Sequence, residues 1–314
     1  MADNARLFRI GSQPPLIQLI ISLFVVIVAG FFLASLLVYI GSFIFNVSPE
    51  DMLKIPAPDS DRPETLMIKY VQVSQQLALF LVPSLIVARM FKDDNYSFLR
   101  TNKPPSFLIL LSVVILAVLI IPVTTYAGYL NSELDLPDRL SDLENWMRTK
   151  ENEAAELTSL LITSSGLLTL SVNIAVIAVI PAVSEEFLFR GVIQQLFSRT
   201  LRSGHAGIWI AAIIFSTVHL QFYGFIPRLL LGLVFGYLFY WTGNLWTSIA
   251  AHFTNNSILV VMSYISERKP VGTDMTIEKS QQMHFPYVTL ILCCLILFFL
   301  WNEVRRSGKY SGYQ

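Results

Sequence analysis

Long apolar stretches separated by short polar connections organise the whole chain. Crossing a bilayer as a helix takes about 20 apolar residues. On that measure eight helices are predicted, at 16–45, 67–90, 106–130, 167–198, 206–222, 225–242, 245–266 and 286–303. The first run follows Arg6 and Arg9 and is far longer than the apolar core of a cleaved signal, about 7–15 residues. It therefore reads as a transmembrane helix kept in the mature protein. Pro227 falls near the start of the sixth helix, where a missing N–H is tolerated. Gly243-Asn244 separates the sixth helix from the seventh.

The fourth stretch is too long for one straight span and contains Pro181. A proline inside a helix removes a backbone hydrogen bond and crowds the preceding turn. A kink is expected there, with freed carbonyls adding polarity at that depth. Three polar connections interrupt the pattern. Residues 46–66 hold Pro49, Pro56, Pro58 and Pro63 and read as extended. Residues 131–157 are acidic, and their last part, Asn145–Ser164, has the pattern of an amphipathic surface helix. Residues 267–285 form a mixed loop. The organisation divides into an N-terminal membrane region (1–157), a core (158–266) and a C-terminal loop, last span and tail (267–314).

Composition agrees with the pattern. Of 314 residues, 54% are hydrophobic and only 14% charged, with a mean hydropathy of +0.58. An ordinary soluble domain carries about 25% charge. The fold class is therefore all-α: a polytopic membrane protein with about eight transmembrane helices. The formal net charge is zero, so nothing points to nucleic acid. Cys293 and Cys294 are adjacent and have neither disulfide nor metal-ligand spacing, so they read as helix filler. Lys and Arg fall mostly on one side of the eight-span arrangement. The residues concerned are Arg6, Arg9, Lys92, Arg100, Lys103, Arg199, Arg202, Arg305, Arg306 and Lys309. The positive-inside rule then puts both termini in the cytoplasm.

Against this apolar background, three polar clusters stand out. Glu185 and Glu186 sit side by side, with Arg190 one turn later. Charges at mid-membrane cost about 2.5–3.5 kcal/mol each on insertion scales, so they need a partner or a task. Positions four apart share a helix face, which lets Glu186 pair with Arg190 and His252 with Asn256. Glu185 is turned away from Glu186 by about a quarter-turn. The simplest division makes Glu186–Arg190 structural and Glu185 chemical. His219 and His252 both fall on apolar predicted helices, with Phe215 as an apolar wall beside His219. His205 and His284 fall in polar connections, where a solvated role is the default. Gly232 and Gly236 form a small-residue pair suited to close helix approach.

Taken singly, each polar residue has a plainer reading. A Glu–Arg pair in a membrane helix is often a clamp, and an intramembrane histidine is often a satisfied interhelical bonder. Together, polar groups in membrane helices usually face a shared interior. A carboxylate, two imidazoles and an amide around one cavity suit water activation and hydrolysis of an acyl bond. The carboxylate would take the proton, and imidazole and amide donors would hold the oxyanion. Glu185, His219 and His252 could alternatively bind a divalent metal such as zinc, which would activate the water instead. The paired-histidine helix of soluble zinc proteases is absent.

At these residues the chain resembles the CPBP family of intramembrane proteases, which takes in type II CAAX prenyl endopeptidases and bacteriocin-processing or immunity proteins. The family's Glu-Glu-x-x-x-Arg, Phe-x-x-x-His and His-x-x-x-Asn motifs occur here in order. They are Glu185-Glu186 with Arg190, Phe215 with His219, and His252 with Asn256, within about residues 160–260. The resemblance implies a multi-pass endopeptidase, here of a bacterial plasma membrane, acting on a protein or peptide substrate at the bilayer. It implies that Glu185 activates water, His219 helps to position it, His252 and Asn256 bind the oxyanion, and Glu186 with Arg190 holds the site. Both a metal-dependent and a metal-free glutamate mechanism are compatible with it. The alternative is a non-catalytic membrane scaffold or bacteriocin-immunity protein that keeps the fold.

Overall fold

The computed structural model describes residues 10–54, 64–91, 98–162, 166–266 and 286–306. Pro56, Pro58, Pro63 and the whole 267–285 loop with His284 lie outside the described residues, as do Arg6, Arg9, Lys92 and Lys309. Among the described residues the chain is helical, with no strand. In chain order the long helices are α1 (Pro15–Phe45), α2 (Thr65–Phe91), α3 (Phe107–Ser132), α4 (Ser141–Ile162) and α5 (Leu167–Thr200). They continue with α6 (Gly204–Thr217), α7 (Phe225–Thr242), α8 (Leu245–Ile265) and α9 (Tyr287–Arg306).

All eight apolar stretches form helices, and six of these are long and apolar enough to cross a membrane. The two that fall short are α6, which is only 14 residues long, and α8, whose hydropathy is diluted by Ser248, His252, Asn255 and Asn256. Large apolar side chains face outward along the spans, among them Phe31 and Phe43 on α1 and Val288 and Phe298 on α9. In water such a surface would be unstable, whereas lipid covers it without penalty. The protein is an integral membrane protein.

Helix α5 is the centre of the bundle. One apolar core joins it to α1, α2, α6, α7 and α8 through Leu19, Val87, Phe189, Leu196, Phe215, Phe239 and Leu245. A second core, with Leu116, Leu238, Ala251 and Cys293, fastens α3 and α9 to α7 and α8. Helix α4 is the expected amphipathic helix. It buries only Leu161 fully and touches the α6–α7 connection through the Trp146 and Phe222 rings, 5.3 Å apart.

The predicted disruption at Pro181 takes a specific form. Residues Ile174–Val179 make a wide π-turn that ends just before the proline. Pro181 has no N–H to return to the carbonyl of Ile177, and Asn256 Nδ2 on α8 fills that acceptor at 3.2 Å. A second π-turn covers Phe189–Gln194, and a third interrupts α2 at Gln76–Leu81. Such turns rotate the residues beyond them out of regular register and recur at functional sites. All three lie close to the charged residues.

One boundary differs from expectation. The fifth apolar helix was expected to run to 222 but stops at Thr217, and Leu220 adopts a left-handed backbone with φ of 52°. That conformation cannot continue a helix for an L-residue. Asn131 of α3 secures the turn that follows, donating to Phe222 O at 2.8 Å and accepting from the Ile226 N–H at 3.2 Å. His219 therefore sits in a turn just past α6 and not on the helix.

Candidate active site

Glu186 and Arg190 pair as their spacing predicts, with Arg190 donating to Glu186 Oε1 at 2.7 Å. Both side chains are fully buried. Arg190 also donates to the carbonyl of Gly232 at 3.0 Å, and its guanidinium lies 4.8 Å from the Phe215 ring centre and 5.4 Å from that of Phe235. Cation–π contacts of this kind partly compensate a charge for lost solvent. The Gly232 carbonyl is within reach because the residue has no side chain. A Cβ there would lie 3.0 Å from the Cβ of Ala212, and one at Gly236 would lie 2.9 Å from Ile208. Close approach of α6 and α7 thus turns two backbone carbonyls toward α5, where Gln194 takes the second, that of Gly236, at 3.1 Å.

The same Glu186 oxygen also accepts from His252 Nδ1 at 2.9 Å. A carboxylate oxygen only accepts, so Nδ1 carries the hydrogen. In the neutral ring this leaves Nε2 with a lone pair. His252 is stacked on Phe235, centroids 5.2 Å apart, and its Nε2 points toward Glu185, 3.9 Å from Oε2. That gap is too long for a direct hydrogen bond and is one that a single water bridges. Glu186 and Arg190 therefore set the orientation of the imidazole that faces Glu185.

Glu185 is itself held by a residue that the sequence did not flag. Gln76 of α2 donates from Nε2 to Glu185 Oε1 at 2.9 Å. The available signal was a run of polar residues, Ser74, Gln75 and Gln76, inside an apolar span.

His219 donates from Nδ1 to the Phe215 carbonyl at 2.7 Å, which again leaves Nε2 as the acceptor. Phe215 forms the predicted wall, with ring centres 5.0 Å from His219 and 6.0 Å from His252. Glu185, His252 and Arg228 are the charged or titratable groups that act on His219. Asn256 lies on the same face of α8 as His252, but its amide is engaged with Ile177 and Asn255. One N–H of Asn256 remains as the only donor it could offer a reacting group. His205 is exposed and bonds the Tyr237 hydroxyl at 3.0 Å.

A zinc site of three protein side chains does not fit this arrangement. Among the described residues no group of three His, Cys, Asp or Glu side chains gathers closely enough to hold a metal ion. Glu185, His219 and His252 thus surround the site without converging on one ligation point.

Residues 167–258, which contain all three motifs, match the family described as type II CAAX prenyl endopeptidase Rce1-like. The CPBP resemblance holds over this segment. YpbD, an uncharacterized protein of Bacillus subtilis (strain 168), is 31% identical over 90 residues, covering 27% of this chain and 43% of YpbD. The match therefore spans less than half the length of that relative. No solved structure matches.

Proposed function

We propose that the chain hydrolyses peptide bonds of membrane-embedded or membrane-bound protein substrates with water activated by Glu185, without a metal. The observation that carries this reading is the pairing of Glu185 Oε2 with His252 Nε2 across 3.9 Å. One is the free oxygen of a buried carboxylate and the other the free nitrogen of an imidazole whose tautomer is fixed from behind. Both lie in an apolar surround, where electrostatic effects are stronger than in water.

In the proposed reaction, Glu185 Oε2 takes a proton from a water as the water oxygen bonds to the scissile carbonyl carbon, with His219 Nε2 helping to orient that water. The carbonyl π bond opens to a tetrahedral oxyanion. His252 becomes a donor at Nε2 only once protonated, and the proton removed from water lies next to it, so Glu185 and His252 share it. His252 with the remaining N–H of Asn256 then stabilises the oxyanion. Return of the proton to the amide nitrogen breaks the C–N bond and releases an amine and a carboxylic acid. Glu186 and Arg190 hold the imidazole and touch no reacting atom. The distribution of Lys and Arg supports cytoplasmic termini, and in the proposed arrangement the site opens toward that side.

The experiment is cleavage of a membrane-partitioning peptide library by the protein in lipid nanodiscs, with and without 1,10-phenanthroline. The native protein is expected to cut at defined sites and to be insensitive to the chelator. Glu185→Gln is expected to lose at least about a thousandfold while remaining folded. A Glu185→Gln variant that cuts as well as the native protein refutes the assignment of the base, and loss of activity to chelator refutes the metal-free reaction. A native protein that cuts nothing leaves the scaffold reading.

A further inference from the structure

The Glu185 carboxylate has two oxygens, and only one of them faces His252. What selects that oxygen is the amide of Gln76. This side chain is contributed by α2, about 90 residues before the segment that matches the family. Gln76 is 6% exposed and Ser184 is fully buried. The amide nitrogen bonds Glu185 Oε1 at 2.9 Å, and the amide oxygen meets the hydroxyl of Ser184, the residue just before the base, which shares its single hydrogen between that oxygen and the Ile180 carbonyl at 2.7 Å.

The orientation of this amide has a physical cause. Turning it over would set its carbonyl oxygen against a carboxylate oxygen, so an ionised Glu185 forces Nε2 toward itself. The opposite end then presents Oε1, an acceptor, and Ser184 is the donor that completes it. Asparagine would not reach, and a lysine or arginine would neutralise the base. A glutamine is uncharged, spans both groups, and supplies a donor and an acceptor in one rigid plane. The π-turn that begins at Gln76 packs directly against the segment carrying Ser184 and Glu185, so the bond is set by backbone contact between the two helices.

We propose that Gln76, locked by Ser184, is a positioning residue that pins Oε1 and thereby assigns Oε2 of Glu185 as the oxygen that meets the water. This rests on Glu185 being the base, as proposed above. Without the amide, the carboxylate can rotate about its terminal torsion, which is broad and nearly two-fold. Oε2 then leaves the 3.9 Å relation to His252 Nε2 for part of the time. Ser184 reaches Glu185 only through Gln76, its other contacts being with the Ile180 and Pro181 carbonyls of its own helix at 2.7 and 3.4 Å, so its removal affects the base only while the amide is present.

The test uses Gln76→Met, which keeps length and volume and removes the amide, together with Ser184→Ala and the double variant. The probe is the library peptide that the native protein cuts. Gln76→Met is expected to lower kcat about ten- to a hundredfold, in the range of one charge-assisted hydrogen bond, with KM changed less than about twofold. Ser184→Ala is expected to lower kcat about two- to fivefold, and the double variant should match Gln76→Met alone. Multiplying effects, or a loss confined to KM, overturn the proposal. A second arm does not depend on turnover. Infrared difference spectra at one fixed pH, with Glu185→Gln as blank, should show the Glu185 carboxylate bands displaced between native protein and Gln76→Met. Unchanged bands overturn the contact itself, whereas absence of any native cleavage overturns only the assignment of Glu185 as base.

Discussion

Removing Arg190 alone should destabilise the protein more than removing Arg190 and Glu186 together. Both side chains are fully buried, and the pair is 2.7 Å apart. Arg190→Met would leave Glu186 ionised with His252 Nδ1 as its single donor, and its Oε2 already has no partner among the described residues. Stranding a buried charge in this way costs about 3–5 kcal/mol. The lost bond to the Gly232 carbonyl falls within that figure. In Glu186→Leu/Arg190→Met no charge is stranded. What remains is His252 Nδ1 without an acceptor and the Gly232 carbonyl without its donor. Together these are expected to cost about 1–3 kcal/mol, reduced by better apolar contact. The single variant should therefore lie at least about 1 kcal/mol below the double. Unfolding in mixed dodecyl maltoside and SDS micelles, followed by circular dichroism, measures both. The double variant should nevertheless fail to cleave peptide, because His252 loses the acceptor that orients it. A single variant within about 1 kcal/mol of the native protein would show that Glu186 is not held as a buried charge. A double variant less stable than the single would place the energetic weight on packing around the guanidinium.

Two further outcomes follow from particular contacts. Asn256→Ala should cost about 1–3 kcal/mol by leaving the Ile177 carbonyl without a donor, and adding Pro181→Ala should recover part of that loss by restoring a backbone N–H; equal instability of single and double variants in the same unfolding assay would refute this link. Burial pushes the Glu151 carboxyl of α4 above its ordinary value of 4.5, although Arg228 and the Gln221 amide oppose the shift. The docked helix thus holds its proton more tightly than an undocked one, so docking is strongest below pH 4.5 and weakens as pH rises through that value to the raised one. Hydrogen exchange across residues 141–162, corrected for the intrinsic rate, should show this loss of protection, and Glu151→Gln should abolish it; an unchanged pH slope in that variant would refute the reasoning.

The fold class and the polar groups of the candidate site were legible in the sequence because lipid makes both conspicuous. Unbroken apolar runs leave few alternatives to spanning helices, and a charged side chain inside such a run needs a reason. The Glu186–Arg190 pair could be read from helical spacing alone, since both ends lie on one element. The Phe215–His219 contact could be anticipated for the same reason, although Leu220 ends the helix before the histidine. That boundary could not be read from the apolar pattern, because it depends on a left-handed residue and on Asn131 arriving from α3.

Long-range partnership is what the linear pattern withholds. The i,i+4 spacing of His252 and Asn256 suggested a pair, yet each finds its partner on α5, with His252 on Glu186 and Asn256 on the carbonyl that Pro181 leaves open. The linear pattern sufficed for an apolar helical bundle with acid, imidazole and amide groups concentrated in its second half. Contacts between helices fix which oxygen of Glu185 is free, which nitrogen of His252 is available, and that a glutamine of α2 bonds the Glu185 carboxylate. The reason is that local spacing fixes which side chains share a helix face, whereas hydrogen bonds between helices depend on register, π-turns and closeness of approach. Those are set by contacts between residues as far apart in the chain as Gln76 and Glu185.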